Sequence, residues 1–288
     1  MRHIGGQTMR IRLFGKAFST ILLFVTAAVG LQSAPAVAQG DLLVAPTRVI
    51  LDGRRGGEVI LSNIGSEEAT YRIGLELRRM DGNGNLSEIS REDANTLEQA
   101  ALSMVRYAPR RIVLPPGQPQ SVRISARPPA ELPDGEYRAH LSFRAIPKPK
   151  RLDPTAPEAQ GLVIDIQAIY GVTIPLIIRK GKVESGATLA KPQIFEDPRG
   201  GLIGLVLNRE GTGSTYGALH VKVPGEDKPI TLAAGVALYP EIDQRVVSIP
   251  VSAEQLASMR GRGPVTIEYR ELPENGGELI ASVEADLG

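Results

Sequence analysis

The stretch GLVIDIQAIYGVTIPLII, residues 161–178, constrains the fold of this chain more than any other. From Leu162 every second position is apolar: Leu162, Ile164, Ile166, Ala168, Tyr170, Val172, Ile174, Leu176 and Ile178. The positions between them are mixed and include Asp165, Gln167, Gly171 and Thr173. Alternation with a period of two is the mark of a half-buried β-strand. Strands commonly run about 5–6 residues, so this one is roughly three times the usual length. One sandwich does not need so much apolar edge.

Period two recurs along most of the chain. Strands are expected in DLLVAPTRVIL (41–51), EVILSN (58–63), TYRIGLELRRM (70–80), QSVRISA (120–126) and EYRAHLSFRAI (136–146). The turn-forming segments DGRRGG, DGNGN, LPPGQP and RPPAELPDG separate them. Only DANTLEQAALSM (93–104) has a helical pattern. After RKGKVESG a second strand series follows: ATLAKPQI, LIGLVLN, GALHVKV, VVSIPV, PVTIEYREL and ELIASVEADL. Many strands joined by Gly/Pro turns predict an all-β fold of two antiparallel sandwich domains. The expected boundaries are 39–179 for the first domain and 180–288 for the second, and the long strand leads from one into the other. The proline-rich segment 147–160, PKPKRLDPTAPEAQ, reads as a solvated hairpin loop, with a basic patch at Lys148, Lys150 and Arg151 as the alternative.

Residues 1–38 read as a secretory signal peptide: a basic start free of acids, the apolar core STILLFVTAAVGL, and Ala36-Val37-Ala38 as an A-x-A cleavage site. The apolar run is shorter than the ~20 residues that span a bilayer, which disfavours a membrane anchor. Setting aside Arg2, Arg10, Arg12 and Lys16 lowers the formal charge from +1 to −3. A nucleic-acid binder would carry a basic excess, so that class is disfavoured. The chain has no cysteine, which removes disulfides, thiol nucleophiles and Cys-based zinc sites. Without Trp, a sugar-stacking lectin is also disfavoured.

No constellation for catalysis, cofactor binding or metal binding emerges. His140 and His220 lie singly within expected strands and lack metal-ligand spacing. Neither the G-x-S-x-G nor the P-loop pattern occurs. DGNGNLSEISRE places Asp81, Asn83, Asn85 and Glu92 at calcium-loop positions, but Leu86 stands where such a loop needs glycine. A hairpin turn after Met80 accounts for it better.

Several segments in order resemble the amino-terminal domain of the periplasmic chaperones of the chaperone–usher pathway. They are TRVILDG (47–53), VRYAPRRIVLPPGQPQSVRI (105–124), PDGEYRAHLSFRAIP (133–147) and GVTIPLIIR (171–179). LNREGTGSTYGALHV (207–221) is the best match in the second half. YAPRR and VTIP look more like the archaic, spore-coat-type branch. The resemblance implies two immunoglobulin-like β-sandwich domains set at an angle. It also implies a non-enzymatic role that needs neither ATP nor a cofactor. The partners implied are pilus or fimbrial subunits of the spore-coat-U type and an outer-membrane usher, in the periplasm.

In that family the long strand donates alternate apolar side chains to an incomplete subunit, the β-augmentation mode of recognition. Here the donated row would be Ile164, Ile166, Ala168 and Tyr170, and the same edge is open to self-association. Arg48 matches the family's arginine that holds the subunit's C-terminal carboxylate. The family's lysine partner falls near Pro175, leaving Arg106, Arg110 or Arg111 as substitutes, or a weaker anchor. Glu136 and Arg179 match two members of an interdomain salt bridge whose third, acidic member the sequence does not identify. The alternative is a structural adhesin or pilus component of the same sandwich type.

Overall fold

A computed structural model describes residues 42–148, 169–197 and 200–286. The first part contains β1 (Leu42–Ala45), β2 (Val49–Leu51), β3 (Gly57–Asn63), β4 (Ala69–Met80) and β5 (Leu86–Ile89). Helix α1 (Thr96–Met104) follows, then β6 (Val105–Ala108), β7 (Arg111–Leu114), β8 (Gln120–Ala126), β9 (Gly135–Ile146) and β10 (Gly171–Lys180). One sheet has the order β1-β3-β8-β6; the other runs β2-β10-β9-β4-β5, with β7 also on β4. The alternating residues Val59, Leu61, Val122 and Ile124 of the first sheet meet Tyr71, Ile73, Leu141, Phe143, Ile174, Leu176 and Ile178 of the second. This core is the reason the pattern has period two: each strand sends one row inward and the other outward.

The expected single strand over 41–51 is two strands in different sheets. β1 pairs antiparallel with β3, and β2 pairs parallel with β10, Val49 opposite Leu176. The chain crosses between the sheets at Pro46, which has no N–H to give to a ladder. The crossing leaves Arg48 at the sheet edge, immediately before β2.

The second part holds β11 (Ser185–Asp197), β12 (Gly200–Gly211), β13 (Thr215–Lys222), β14 (Ile230–Leu238) and β15 (Gln244–Ser252). Helix α2 (Ala253–Met259), β16 (Val265–Glu271) and β17 (Leu279–Ala285) complete it. The sheets β11-β12-β15 and β14-β13-β16-β17 enclose a separate core of Leu189, Ile203, Leu205, Leu207, Val247 and Ile249 against Leu219, Val221, Ile267 and Tyr269. The fold is all-β, with two sandwiches. Both helices start with reciprocal capping boxes, Asn95 with Glu98 and Ser252 with Gln255, which satisfy the first free amides of each helix. Among the described residues no helix is long and apolar enough to cross a membrane.

Around Ile177, β10 is buried on both faces. Ile174, Leu176 and Ile178 enter the first core, while Ile177 joins Met80, Ala237 and Tyr239 in a third cluster. Because Ala237 and Tyr239 belong to the second part of the chain, this cluster ties the outer face of the β10-β9-β4 sheet to the second sandwich. The apolar doublet Ile177-Ile178, which breaks strict alternation, is explained by burial against two different cores.

Candidate functional site

The parallel register of β2 and β10 sets Arg48 level with Pro175, which faces His140 on β9, which in turn faces Glu76 on β4. Arg48 is partly buried. Its Nη2 donates to Ser214 Oγ at 2.8 Å, and its Nη1 reaches the Tyr239 hydroxyl at 3.4 Å. The guanidinium carbon also lies 4.8 Å from the Tyr216 ring centre and 5.5 Å from that of Tyr239, within cation–π range. Among the described residues no carboxylate pairs with it. Among the described residues the cation is therefore held by neutral hydroxyls and ring faces.

Ser214 precedes β13 in the second sandwich, and residues of the first sandwich also hold its backbone. Its amide donates to Glu136 Oε2 at 3.1 Å, and its carbonyl accepts from Arg179 Nη2 at 3.3 Å. Arg179 Nε donates to the same Glu136 oxygen at 3.2 Å, and the Glu136 side chain is 0% exposed. The third group on the Glu136–Arg179 pair is thus a backbone amide and carbonyl, which no residue-type signal marks. Arg179 also reaches Ser185 Oγ at 3.4 Å.

An acidic residue of the second sandwich does pair with the first, through a different arginine. Glu241 forms an ion pair with Arg138 and accepts the Met80 amide at 2.8 Å. The Arg138 guanidinium carbon is 3.5 Å from the centre of the Tyr239 ring. The tip of the β4–β5 hairpin adds a further bond, Val246 N to Gly82 O at 2.7 Å. Within that hairpin the Asp81 carboxylate accepts the amides of Asn83 and Asn85 at 2.8 and 2.9 Å. The segment weighed as a calcium loop is therefore a hairpin turn. Among the described residues no group of His, Asp or Glu side chains stands close enough to hold a metal.

Beyond Pro175, the row across the sheet is polar and buried. Burial raises the pKa of Glu76, but hydrogen bonds from Arg78, Thr173 and Arg144 outweigh it and hold the carboxyl below its ordinary range. His140 is 1% exposed with neither ring nitrogen bonded; burial, helped by Arg138 and Arg78, pushes its pKa down to about 3. It is a neutral core imidazole. His220 bonds Thr231 Oγ1 at 3.0 Å on the second sandwich.

The arginines weighed as substitute anchors have other partners or lie elsewhere. Arg106 donates to the carbonyls of Ser103 and Val105, Arg110 stacks on Tyr107, and Arg111 is an exposed residue of β7. Of the expected donor row, Ile164, Ile166 and Ala168 lie outside the described residues, as do Lys150 and Arg151. Lys148 is exposed and pairs with Glu67. Tyr170 is 48% exposed and Ile169 64% exposed, and the Tyr170 carbonyl accepts from Ala145 at 2.9 Å, extending the β9–β10 ladder.

No family model matches this chain, and no curated protein matches it. Among solved structures it is similar to the YadV chaperone, at 14% identity over 86% of this chain and 100% of that chain, with a TM-score of 0.46. It is similar to the Escherichia coli chaperone DraB, at 14% identity over 86% and 96%, TM-score 0.44. A third is the CsuC–CsuE chaperone–tip adhesion subunit complex from the archaic chaperone-usher Csu pili of Acinetobacter baumannii, at 15% identity over 85% and 98%, TM-score 0.43.

Proposed function

We propose that the chain is a non-enzymatic periplasmic chaperone that captures pilus or fimbrial subunits, of the archaic, spore-coat type, and hands them to an outer-membrane usher. The observation that carries this is the state of Arg48. A partly exposed guanidinium that no carboxylate among the described residues neutralises, lying where both sandwiches contribute side chains, is a site for a carboxylate from outside. Guanidinium binds carboxylate through two parallel, charge-assisted hydrogen bonds, which fix geometry as well as position. The C-terminus of a bound subunit supplies such a carboxylate.

The clamp sets the register of a second interaction. β10 begins at Gly171, and the row Ile164, Ile166, Ala168 and Tyr170 leads into it. That row carries no charge, so as an open edge it would template aggregation unless a partner covers it. Donated to a subunit lacking its last strand, the side chains gain burial at about 25 cal/mol per Å² of apolar surface. In this scheme residues 39–179 form the domain that donates, residues 180–288 complete the recess around Arg48, and Glu136 with Arg179 holds the two together. Release then occurs by exchange for a better-fitting strand, with no nucleotide involved.

The test is export of this chain together with a strand-deficient pilus subunit into a bacterial periplasm. The subunit is expected to escape degradation and co-purify with the chain. Tyr170→Asp, at a half-exposed position, is expected to reduce recovery without changing the melting temperature. Degradation of the subunit regardless of the chain's presence would contradict the proposal.

A further inference from the structure

We propose that Ser214 and Tyr239 form the second half of the anchor, so that an incoming carboxylate is held by Arg48 of the first sandwich and two hydroxyls of the second at once. The inference rests on the reading of Arg48 as a carboxylate clamp and concerns what completes it.

A second cation is absent from the row beside Arg48 among the described residues. Pro175 stands next to Arg48 and His140 beyond it is neutral, while Arg106, Arg110 and Arg111 have the other settings given above. What approaches the guanidinium instead is Ser214 Oγ at 2.8 Å and the Tyr239 hydroxyl at 3.4 Å. Each accepts from Arg48 and has its own O–H left to donate, and among the described residues neither donates to an acceptor. Among the described residues Arg48 makes two hydrogen bonds, whereas a guanidinium has five N–H donors. The recess therefore collects spare donors from three residues, and the carboxylate beside it, Glu136, is taken up by Arg179 and the Ser214 amide; among the described residues none pairs with Arg48, which is the chemistry of an anion site.

The donors are also fixed in place. Ser214 is held at its amide by Glu136 and at its carbonyl by Arg179, so its hydroxyl can turn but its position cannot drift. Tyr239 is 4% exposed, packed with Met80, Ile177 and Ala237. Donors held before the ligand arrives need little reorganisation to bind it. A carboxylate seated here would bridge the two sandwiches, linking subunit capture to their apposition.

The experiment uses the mature chain and a short peptide of alternating valine and threonine, either with a free C-terminal carboxylate or as the C-terminal amide, titrated by calorimetry. The wild type is expected to prefer the acid. Ser214→Ala and Tyr239→Phe are each expected to reduce that preference about tenfold, the loss of one hydrogen bond to a charged group. Ser214→Thr is expected to retain it, and Arg48→Ala to abolish it. Tyr239→Phe removes a single oxygen, so it reports on the site even if Ser214→Ala disturbs folding. If both hydroxyl variants keep the wild-type preference while Arg48→Ala loses it, the hydroxyl half is overturned and the arginine clamp stands. If the wild type shows no preference for the acid, the clamp itself fails and this inference with it.

Discussion

Arg48 Nη2 donates to Ser214 Oγ at 2.8 Å, joining the edge of one sandwich to a loop of the other through a cation and a neutral hydroxyl. Since Glu136 and Arg179 hold the backbone of the same serine, a structural ion pair and a candidate binding cation share one residue. Changes at the proposed anchor and changes in how the sandwiches meet are therefore coupled through Ser214, and separate experiments can move one without the other.

Glu241 reaches from the second sandwich to the first. Glu241→Ala removes the carboxylate that accepts the Met80 amide and pairs with Arg138, whose side chain is 8% exposed and keeps only the Arg78 carbonyl as an acceptor among the described residues. A cost of about 2–3 kcal/mol is expected in urea unfolding, the penalty of stranding buried donors with part of the pair still wet. A loss below a few tenths would show that water replaces Glu241 without difficulty.

Gly84 is required where it stands. It has φ of +85°, and a Cβ there would lie 2.1 Å from Arg245 Nε. Gly84→Ala is expected to cost about 1–3 kcal/mol and to lift the hairpin tip from β15. Hydrogen exchange at the Val246 amide, bonded to Gly82 O at 2.7 Å, reads this directly: faster exchange there than in the β12–β15 ladder is expected.

Acid should weaken the protein before its carboxylates titrate. His140 has a folded pKa of about 3 against an ordinary 6.5, with burial as the main cause. Below pH 6.5 the unfolded chain binds a proton that the folded chain refuses, so this contribution is complete above 6.5 and shrinks as the pH falls. The slope is at most about 1.4 kcal/mol per pH unit for one such group. His220, also lowered by burial, acts with the same sign, and Glu76 joins only below its ordinary value of 4.5. His140→Leu is expected to flatten the melting-temperature profile between pH 6.5 and 4.5; an unchanged profile would assign the slope elsewhere.

The legible parts of the fold were those where burial follows a simple period. QSVRISA is β8 residue for residue, and EYRAHLSFRAI differs from β9 by one residue. β14 shows no clear period because ITLAAGVAL is rich in Ala and Gly, and Gly235, at φ +74°, lies where its pairing with β13 shifts register. α2 is a seven-residue helix too short for periodicity, although Ser252 and Gln255 spelled its capping box. At the candidate site, Arg48, Glu136 and Arg179 were identified through resemblance. Ser214, Tyr239, Glu241 and Arg138 were not, because their roles arise from contacts across 60 to 191 residues of chain that no local pattern encodes.

The most direct test of the central claim compares Arg48→Ala with the wild type in capturing a strand-deficient pilus subunit. Equal melting temperatures would establish that both are folded, since Arg48 is partly exposed and outside both cores. The variant is expected to bind the subunit at least about thirtyfold more weakly, matching the roughly 2 kcal/mol or more lost when one side of a hydrogen-bonded charge pair is removed. Equal affinity of the folded variant and the wild type for the subunit would contradict the carboxylate clamp.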